Sequence, residues 1–354
     1  MSLAEVILVI IWVGVSAYGV FGGADFGAGI WDLMAGGPEK GSRTRALLER
    51  SIGPVWEANH VWLIFILVYL WTAFPEPFVA IASTMLIPLS LAALGIILRG
   101  SAFAFRKWAG SLQRQRWFGA AFAGSSVFTP FFLGTVAGGV ASGRVPLGNA
   151  AGDPVSSWLN PTSLLGGSLA VVTCAYMAAV LVSRDAKQSG DEDLAEYFRR
   201  RALLTGLVAG LVALAGVFVL RLDAPTLFDR LTSARGIPFL AASAVGGLAS
   251  MWLLVKGRVV IARGTAVLAT VSVLWGWGAG QYPWLLEQEA SVDAFAAPDP
   301  VLWALIAAFA AAALLAVPAL IWLYTLTERG LLGEGGSADR ESTDMLLERL
   351  RAGG

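Results

Sequence analysis

The sequence is poor in charge and contains one histidine and one cysteine in 354 residues. Charged residues make up 14%, against roughly 25% in soluble domains, while 56% of residues are hydrophobic and the mean hydropathy is +0.69. A soluble domain is therefore excluded, and the chain belongs in a lipid bilayer. The lone Cys174 excludes an intrachain disulfide or a cysteine metal cluster. A net charge of zero gives no reason to expect nucleic acid as a partner.

Nine apolar windows of about 20 residues, the length that crosses the hydrocarbon core, predict nine transmembrane helices. The predicted fold class is an all-α polytopic membrane protein, with two four-helix bundles and one peripheral helix. We expect a transmembrane domain over 1–327 and a short cytoplasmic tail over 328–354. The windows lie near 6–29, 54–74, 77–98, 118–140, 162–183, 202–220, 237–255, 260–281 and 302–325.

The basic residues predict the orientation of the chain. The loops between nine helices alternate between the two sides of the membrane, and 21 of the 25 lysines and arginines fall on one side. The other side carries only Arg144, Arg221, Arg230 and Arg235. Because cytoplasmic loops are enriched in Lys and Arg, the N-terminus is expected outside and the C-terminus in the cytoplasm.

Ionisable residues within the predicted spans are candidates for function, because burying them in a membrane is costly. Asp25 lies near the inner end of the first span, Glu57 and His60 share one face of the second, and Arg99 ends the third. All four are expected at one depth, near the cytoplasm. A proton entry site and a structural ion-pair network are both consistent with this pattern, and a solvated helix end is a further alternative for Asp25.

Two other patterns bear on packing and ligation. Gly19, Gly23 and Gly27 recur every fourth residue, which predicts a helix face that a neighbouring helix contacts closely. His60 has no second histidine or cysteine at ligand spacing, so a hydrogen-bonded helix residue is favoured over a haem or metal ligand. No cofactor or metal is predicted within this chain.

Three segments carry a family resemblance. Residues 22–31 read GGADFGAGIW, residues 50–64 read RSIGPVWEANHVWLI and residues 99–106 read RGSAFAFR, with GWGAGQYP at 276–283 a weaker match. The chain resembles subunit II of cytochrome bd ubiquinol oxidase. This resemblance implies a heterodimer in the cytoplasmic (inner) membrane of a bacterium or archaeon. Subunit I would bind haems b and d, or b only, and the quinol substrate, and subunit II would ligate no haem.

The resemblance also implies roles for individual residues. Asp25 and Glu57 match acidic positions associated with proton supply, and Trp62 matches a tryptophan associated with an oxygen route. The sequence departs from some members, which have a histidine where Val55 stands and an aspartate in place of Glu57; His60 is the candidate to replace that histidine. Further candidate partners are a small single-helix subunit and a lipid or structural quinone. The alternatives are a secondary transporter or ion/proton antiporter, and a purely structural subunit.

Overall fold

The computed structural model describes residues 1–36, 41–52, 56–106 and 112–328, and almost all regular structure in them is helical. A π turn (Tyr18–Gly22) joins the first two helices. The helices are α1 (Leu3–Ala17), α2 (Gly23–Met34), α3 (Ser42–Ile52), α4 (Trp56–Ala73), α5 (Pro75–Thr84), α6 (Leu86–Arg106), α7 (Leu112–Ala141), α8 (Pro161–Gln188), α9 (Glu192–Asp223), α10 (Pro225–Leu231), α11 (Ile237–Val255), α12 (Val259–Gln281) and α13 (Asp299–Glu328), and a short hairpin pairs β1 (Trp284–Leu286) with β2 (Ala290–Ser291).

Within these residues, seven helical segments are long and apolar enough to cross a membrane, and the pair α5–α6 would make an eighth. The apolar part of α4, from Asn59 to Ala73, is shorter. The prediction of an all-α, multi-pass membrane protein is confirmed. The count of nine helices, their grouping into two bundles and the orientation stay predictions.

The predicted third span, near 77–98, is not one straight helix. The helices α5 and α6 meet at an angle of 83°. Pro88 lies in the first turn of α6, and proline has no N–H to donate to the carbonyl four residues earlier, here that of Thr84. A hydropathy window detects the apolar stretch but not this break.

Helix α8 lies at the centre of the fold and packs against α2, α7, α9 and α12. Its side chains from Met177 to Val180 are fully buried. Where α7 crosses α8 the two backbones touch: a Cβ added to Gly138 would lie 2.5 Å from the Cα of Ser163, and Gly134 meets Gly166 in the same way. We call this contact the α7–α8 seam.

Polar contacts join the loops into two groups, one at each end of the helices. At one end Arg144 pairs with Asp223 at 2.6 Å and Arg230 pairs with Glu287 at 3.0 Å. At the other end, Arg43 pairs with Asp191 at 2.8 Å, and the Lys187 ammonium donates to the Gly257 carbonyl at 3.3 Å. These are the two groups of loops that the charge pattern separates, and which group faces the cytoplasm stays a prediction.

The outward faces are apolar, as a lipid environment requires. Along α9, Leu204, Leu214 and Phe218 are more than 60% exposed. The chain divides into two compact units, Met1–Asp299 and Pro300–Gly354. The described part of the second unit belongs to α13, a continuous helix that contains Pro318. The predicted tail, residues 328–354, lies almost entirely outside the described residues, so the predicted domain boundary stays a prediction.

Candidate functional site

The centre of the candidate site is an ion pair between Asp25 on α2 and Arg99 on α6. One Nη of Arg99 donates to the Asp25 carboxylate at 2.7 Å and to the Asp25 backbone carbonyl at 2.8 Å. Asp25 is 1% exposed and Arg99 2% exposed, so both charges are removed from solvent. A pair this deeply buried is retained only when each charge compensates the other.

The rest of the guanidinium is held by α7 and by aromatic rings. Its second Nη donates to the Ser126 hydroxyl, and Ser126 in turn donates to the Phe122 carbonyl at 2.6 Å. The Arg99 Cζ lies 4.3 Å from the ring centroid of Phe122 and 5.1 Å from that of Phe26, within the range of cation–π attraction. Three helices therefore fix the position of one cation.

Gly29 makes room for this arrangement. A Cβ added to Gly29 would lie 2.8 Å from an Arg99 Nη and closer still to the Ser126 hydroxyl oxygen. Any side chain at this position would push α2 away from α6 and α7. The glycine-rich sequence of α2 is thus explained here by the space that the ion pair needs.

Two polar atoms of the pair make no hydrogen bond with the residues described. They are the second carboxylate oxygen of Asp25, Oδ2, and the Nε of Arg99, and both are buried. Buried polar atoms in proteins usually have a partner, in the protein or in ordered water. Asp25 Oδ2 is therefore the atom at which this site can accept a proton or a water hydrogen bond.

His60 and Tyr18 border the ion pair. The rings of Tyr18, Phe26 and His60 form a triangle, with centroid distances of 6.4, 5.9 and 6.4 Å. His60 is within electrostatic range of Asp25 and Arg99. Glu57 lies in the first turn of α4, but its side chain lies outside the described residues. Of the predicted site residues, the structure therefore brings together Asp25, Arg99 and His60.

Trp62 belongs to a different cluster. Its ring packs edge-on against Phe65 at 6.2 Å, and Phe65 lies 4.2 Å from Tyr69, one turn further along α4. This aromatic row points away from the cytoplasmic end that we predict for Asp25. Among the described residues, the ring contact of Trp62 is with Phe65 on its own helix, and no contact of Trp62 with Asp25 or Arg99 is seen.

The glycine face of the first span is divided by the π turn. Gly23 and Gly27 face α8, where a Cβ on Gly23 would lie 3.6 Å from the Cys174 Sγ and Gly27 touches the Cys174 carbonyl. Gly19, before the end of the π turn, instead faces Leu274 on α12. The predicted close packing occurs, but against two helices and not along one continuous face.

Comparison with known proteins adds an independent line of evidence. Residues 3–327 match the family model described as cytochrome bd terminal oxidase subunit II. The chain belongs to this family. The resemblance read from the sequence is thereby confirmed, and the match extends over nearly the whole chain, beyond the segments that carried the resemblance.

Individual relatives agree with this assignment. The chain is 25% identical over 230 residues to the putative cytochrome bd menaquinol oxidase subunit II of Bacillus subtilis, and 32% identical over 154 residues to the cytochrome bd ubiquinol oxidase subunit 2 of the same organism. These alignments span 64% and 43% of this chain, and 65% and 44% of the relatives. A bd oxidase structure from Geobacillus thermodenitrificans matches with a TM-score of 0.75 and 26% identity, covering 92% of this chain and 98% of that one.

Sequence reasoning missed several residues of this subunit II site. Ser126 and Phe122 lie in an apolar stretch of α7 where the only signal was the adjacent pair Ser125–Ser126. Tyr18 gave no signal, because a tyrosine in an apolar span is ordinarily a packing residue. Among the described residues, no group of three or more His, Cys, Asp or Glu side chains could hold a metal ion.

Proposed function

We propose that this chain is the non-haem subunit of a quinol oxidase that reduces oxygen to water, and that it works with a haem-bearing subunit I. Family membership supports this role, and so do the quinol oxidase names of the two Bacillus relatives. Histidine and cysteine, two of the side chains that ligate haem iron, occur only once each in the sequence. The secondary transporter alternative gains no comparable support.

The proposed contribution of the chain is a proton path that enters from the cytoplasm. Reduction of oxygen consumes protons, and they must reach a reaction centre inside the membrane. Asp25 is the observation on which the proposal rests: a carboxylate 1% exposed, paired through one oxygen with Arg99, and with its other oxygen available to accept a proton. Arg99 supplies the opposite charge that a buried carboxylate needs, since its guanidinium lies 2.7 Å from the Asp25 carboxylate.

Glu57 and His60 complete the proposed path. His60 borders the ion pair from α4, and Glu57 precedes it by three residues, close to one helical turn. The proposed order is entry at Glu57, transfer to Asp25 and onward movement past His60. Trp62, in its separate aromatic row, is proposed to line an oxygen route. A small single-helix subunit and a bound lipid or quinone are further proposed partners, in the cytoplasmic membrane of a bacterium or archaeon.

The test is Asp25→Asn in the assembled oxidase. The reduced enzyme is mixed rapidly with oxygen, and proton uptake is followed with a pH-indicator dye while haem absorbance follows electron transfer. We expect proton uptake to slow by roughly a hundredfold, the lower end of what a positioned proton-transfer group contributes, while the haem content of the complex is unchanged.

The matched control is Asp223→Asn, which removes a carboxylate from an ion pair at the opposite end of the molecule, where Asp223 binds Arg144 at 2.6 Å. Its proton uptake should equal that of the wild type. If Asp25→Asn assembles fully and takes up protons at the wild-type rate, Asp25 is not on the path and the proposed role of this site is wrong.

A further inference from the structure

A second polar side chain in the same region has no role in the path described so far. Tyr18 opens the π turn, in which the Gly23 N–H donates to the Tyr18 carbonyl five residues earlier. Short π segments within α-helices occur frequently at functional sites. Gly22 accommodates the tyrosine ring, since a Cβ there would lie 2.8 Å from the Tyr18 Cε2. The turn and the glycine together set the position of this ring.

The Tyr18 hydroxyl is buried and makes no hydrogen bond with any described residue. Leaving a buried hydroxyl without a partner is destabilising, and a phenylalanine would fill the same space without that cost. Tyr176 provides a contrast, because its buried hydroxyl lies 2.5 Å from the Ser250 hydroxyl oxygen. The hydrogen bond to Ser250 therefore accounts for the hydroxyl of Tyr176, whereas no described contact accounts for the hydroxyl of Tyr18.

The surroundings of Tyr18 indicate what the hydroxyl does. Among the described residues, the charged and titratable groups near it are Asp25, Arg99 and Cys174, which interact with it electrostatically, and His60, whose ring lies 6.4 Å away. Asp25 Oδ2 and Arg99 Nε are buried without a described partner as well. The Tyr18 hydroxyl oxygen, Asp25 Oδ2 and Arg99 Nε are thus three buried polar atoms of the kind that bind ordered water inside proteins.

We propose that the Tyr18 hydroxyl is the proton carrier that follows Asp25, on the side away from the cytoplasmic end. Seven residues of helix separate the two, roughly 10 Å along the axis, a gap that ordered water can bridge. The proton arriving from Asp25 forms a new O–H bond at the phenol oxygen while the original O–H proton leaves for the next acceptor. Tyrosine is neutral before and after the transfer, and nothing is oxidised or reduced.

This inference rests on the proposed proton path, and its test uses two matched substitutions in the assembled oxidase. Tyr18→Phe removes the hydroxyl without a partner and Tyr176→Phe removes the bonded one. We expect Tyr18→Phe to slow proton uptake at least tenfold, with a thermal stability of the complex no lower than that of the wild type. Tyr176→Phe should lower thermal stability and leave proton uptake at the wild-type rate.

The comparison with Asp25→Asn separates the two proposals. If Asp25→Asn slows proton uptake and Tyr18→Phe does not, the path exists and Tyr18 is not part of it, which overturns this inference alone. If neither variant slows uptake, both proposals are wrong. A Tyr18→Phe complex that loses thermal stability while keeping its uptake rate would show that the hydroxyl is structural, which also overturns the inference.

Discussion

Removing one partner of the Asp25–Arg99 pair is expected to destabilise the protein more than removing both. Asp25→Asn leaves a cation that is 2% exposed without a compensating negative charge among its described neighbours, which are hydroxyl, carbonyl and amide oxygens and two ring faces. Arg99→Met leaves a carboxylate that is 1% exposed and has lost its cation. The double variant, which combines Asp25→Asn with Arg99→Met, has neither charge.

The magnitudes follow from the burial. Breaking a buried pair by removing one partner costs about 3–5 kcal/mol, because the remaining charge is uncompensated. Replacing both charges by neutral groups of similar size is often close to neutral, so we expect the double variant to cost only about 1–2 kcal/mol. Two single losses of this size and a double loss of about 1–2 kcal/mol imply a coupling energy of at least about 4 kcal/mol, which exceeds the roughly 0.5–3 kcal/mol usually found between contacting residues.

The assay is denaturant titration of the four forms of the assembled complex in mixed micelles, followed by the fluorescence of the 14 tryptophans of this chain and those of its partner. Midpoints and slopes give relative free energies of unfolding when the slopes agree between variants. Additive costs, in which the double variant loses the sum of the two single losses, would refute the claim that Asp25 and Arg99 compensate each other.

Two further predictions concern packing and pH. Gly29→Ala should destabilise the complex, because its Cβ would lie 2.8 Å from the Arg99 guanidinium. The control Gly210→Ala on α9 should not, because nothing lies within 4 Å of the added Cβ. Equal unfolding midpoints for the two variants in the same titration would contradict this prediction. The pKa of Asp191 is held below its usual value by the backbone N–H of Leu194 on α9 and by the Arg43 guanidinium. The ionised carboxylate therefore stabilises the start of α9 above pH ~4. This stabilisation is lost as the pH falls through the lowered pKa. Amide hydrogen-exchange rates in the first turn of α9, corrected for intrinsic rates, should therefore change more with pH below 4 in the wild type than in Asp191→Asn. Identical pH profiles in the two proteins would contradict the stabilisation of α9 by ionised Asp191.

The apolar helices were the part of the fold that sequence could predict best. The window predicted at 237–255 coincides with α11, because Pro238 lies at its first turn and Lys256 directly follows it. Helices α8 and α9 continue beyond their predicted windows to Gln188 and back to Glu192. These extensions are polar, and hydropathy registers only the membrane-crossing part of a helix.

Features that depend on tertiary contacts or on local backbone geometry were not predictable in the same way. The helix α3, the β1–β2 hairpin and the bend between α5 and α6 have no apolar signature of their own. In the site, the common depth of Asp25 and Arg99 followed from their positions at the inner ends of the first and third predicted spans. The contribution of Ser126 depends on which face of α7 meets α6, and a span without a strong apolar or polar face does not reveal that.

The α7–α8 seam has a consequence for how gases move through this protein. At Gly138 and Gly134 the two helices touch backbone to backbone, and even a single added Cβ would overlap its neighbours. A diatomic molecule does not fit where one methyl group does not. The seam is therefore closed to dissolved oxygen, and the oxygen route that we propose would lie elsewhere in the subunit, as along the aromatic row that contains Trp62.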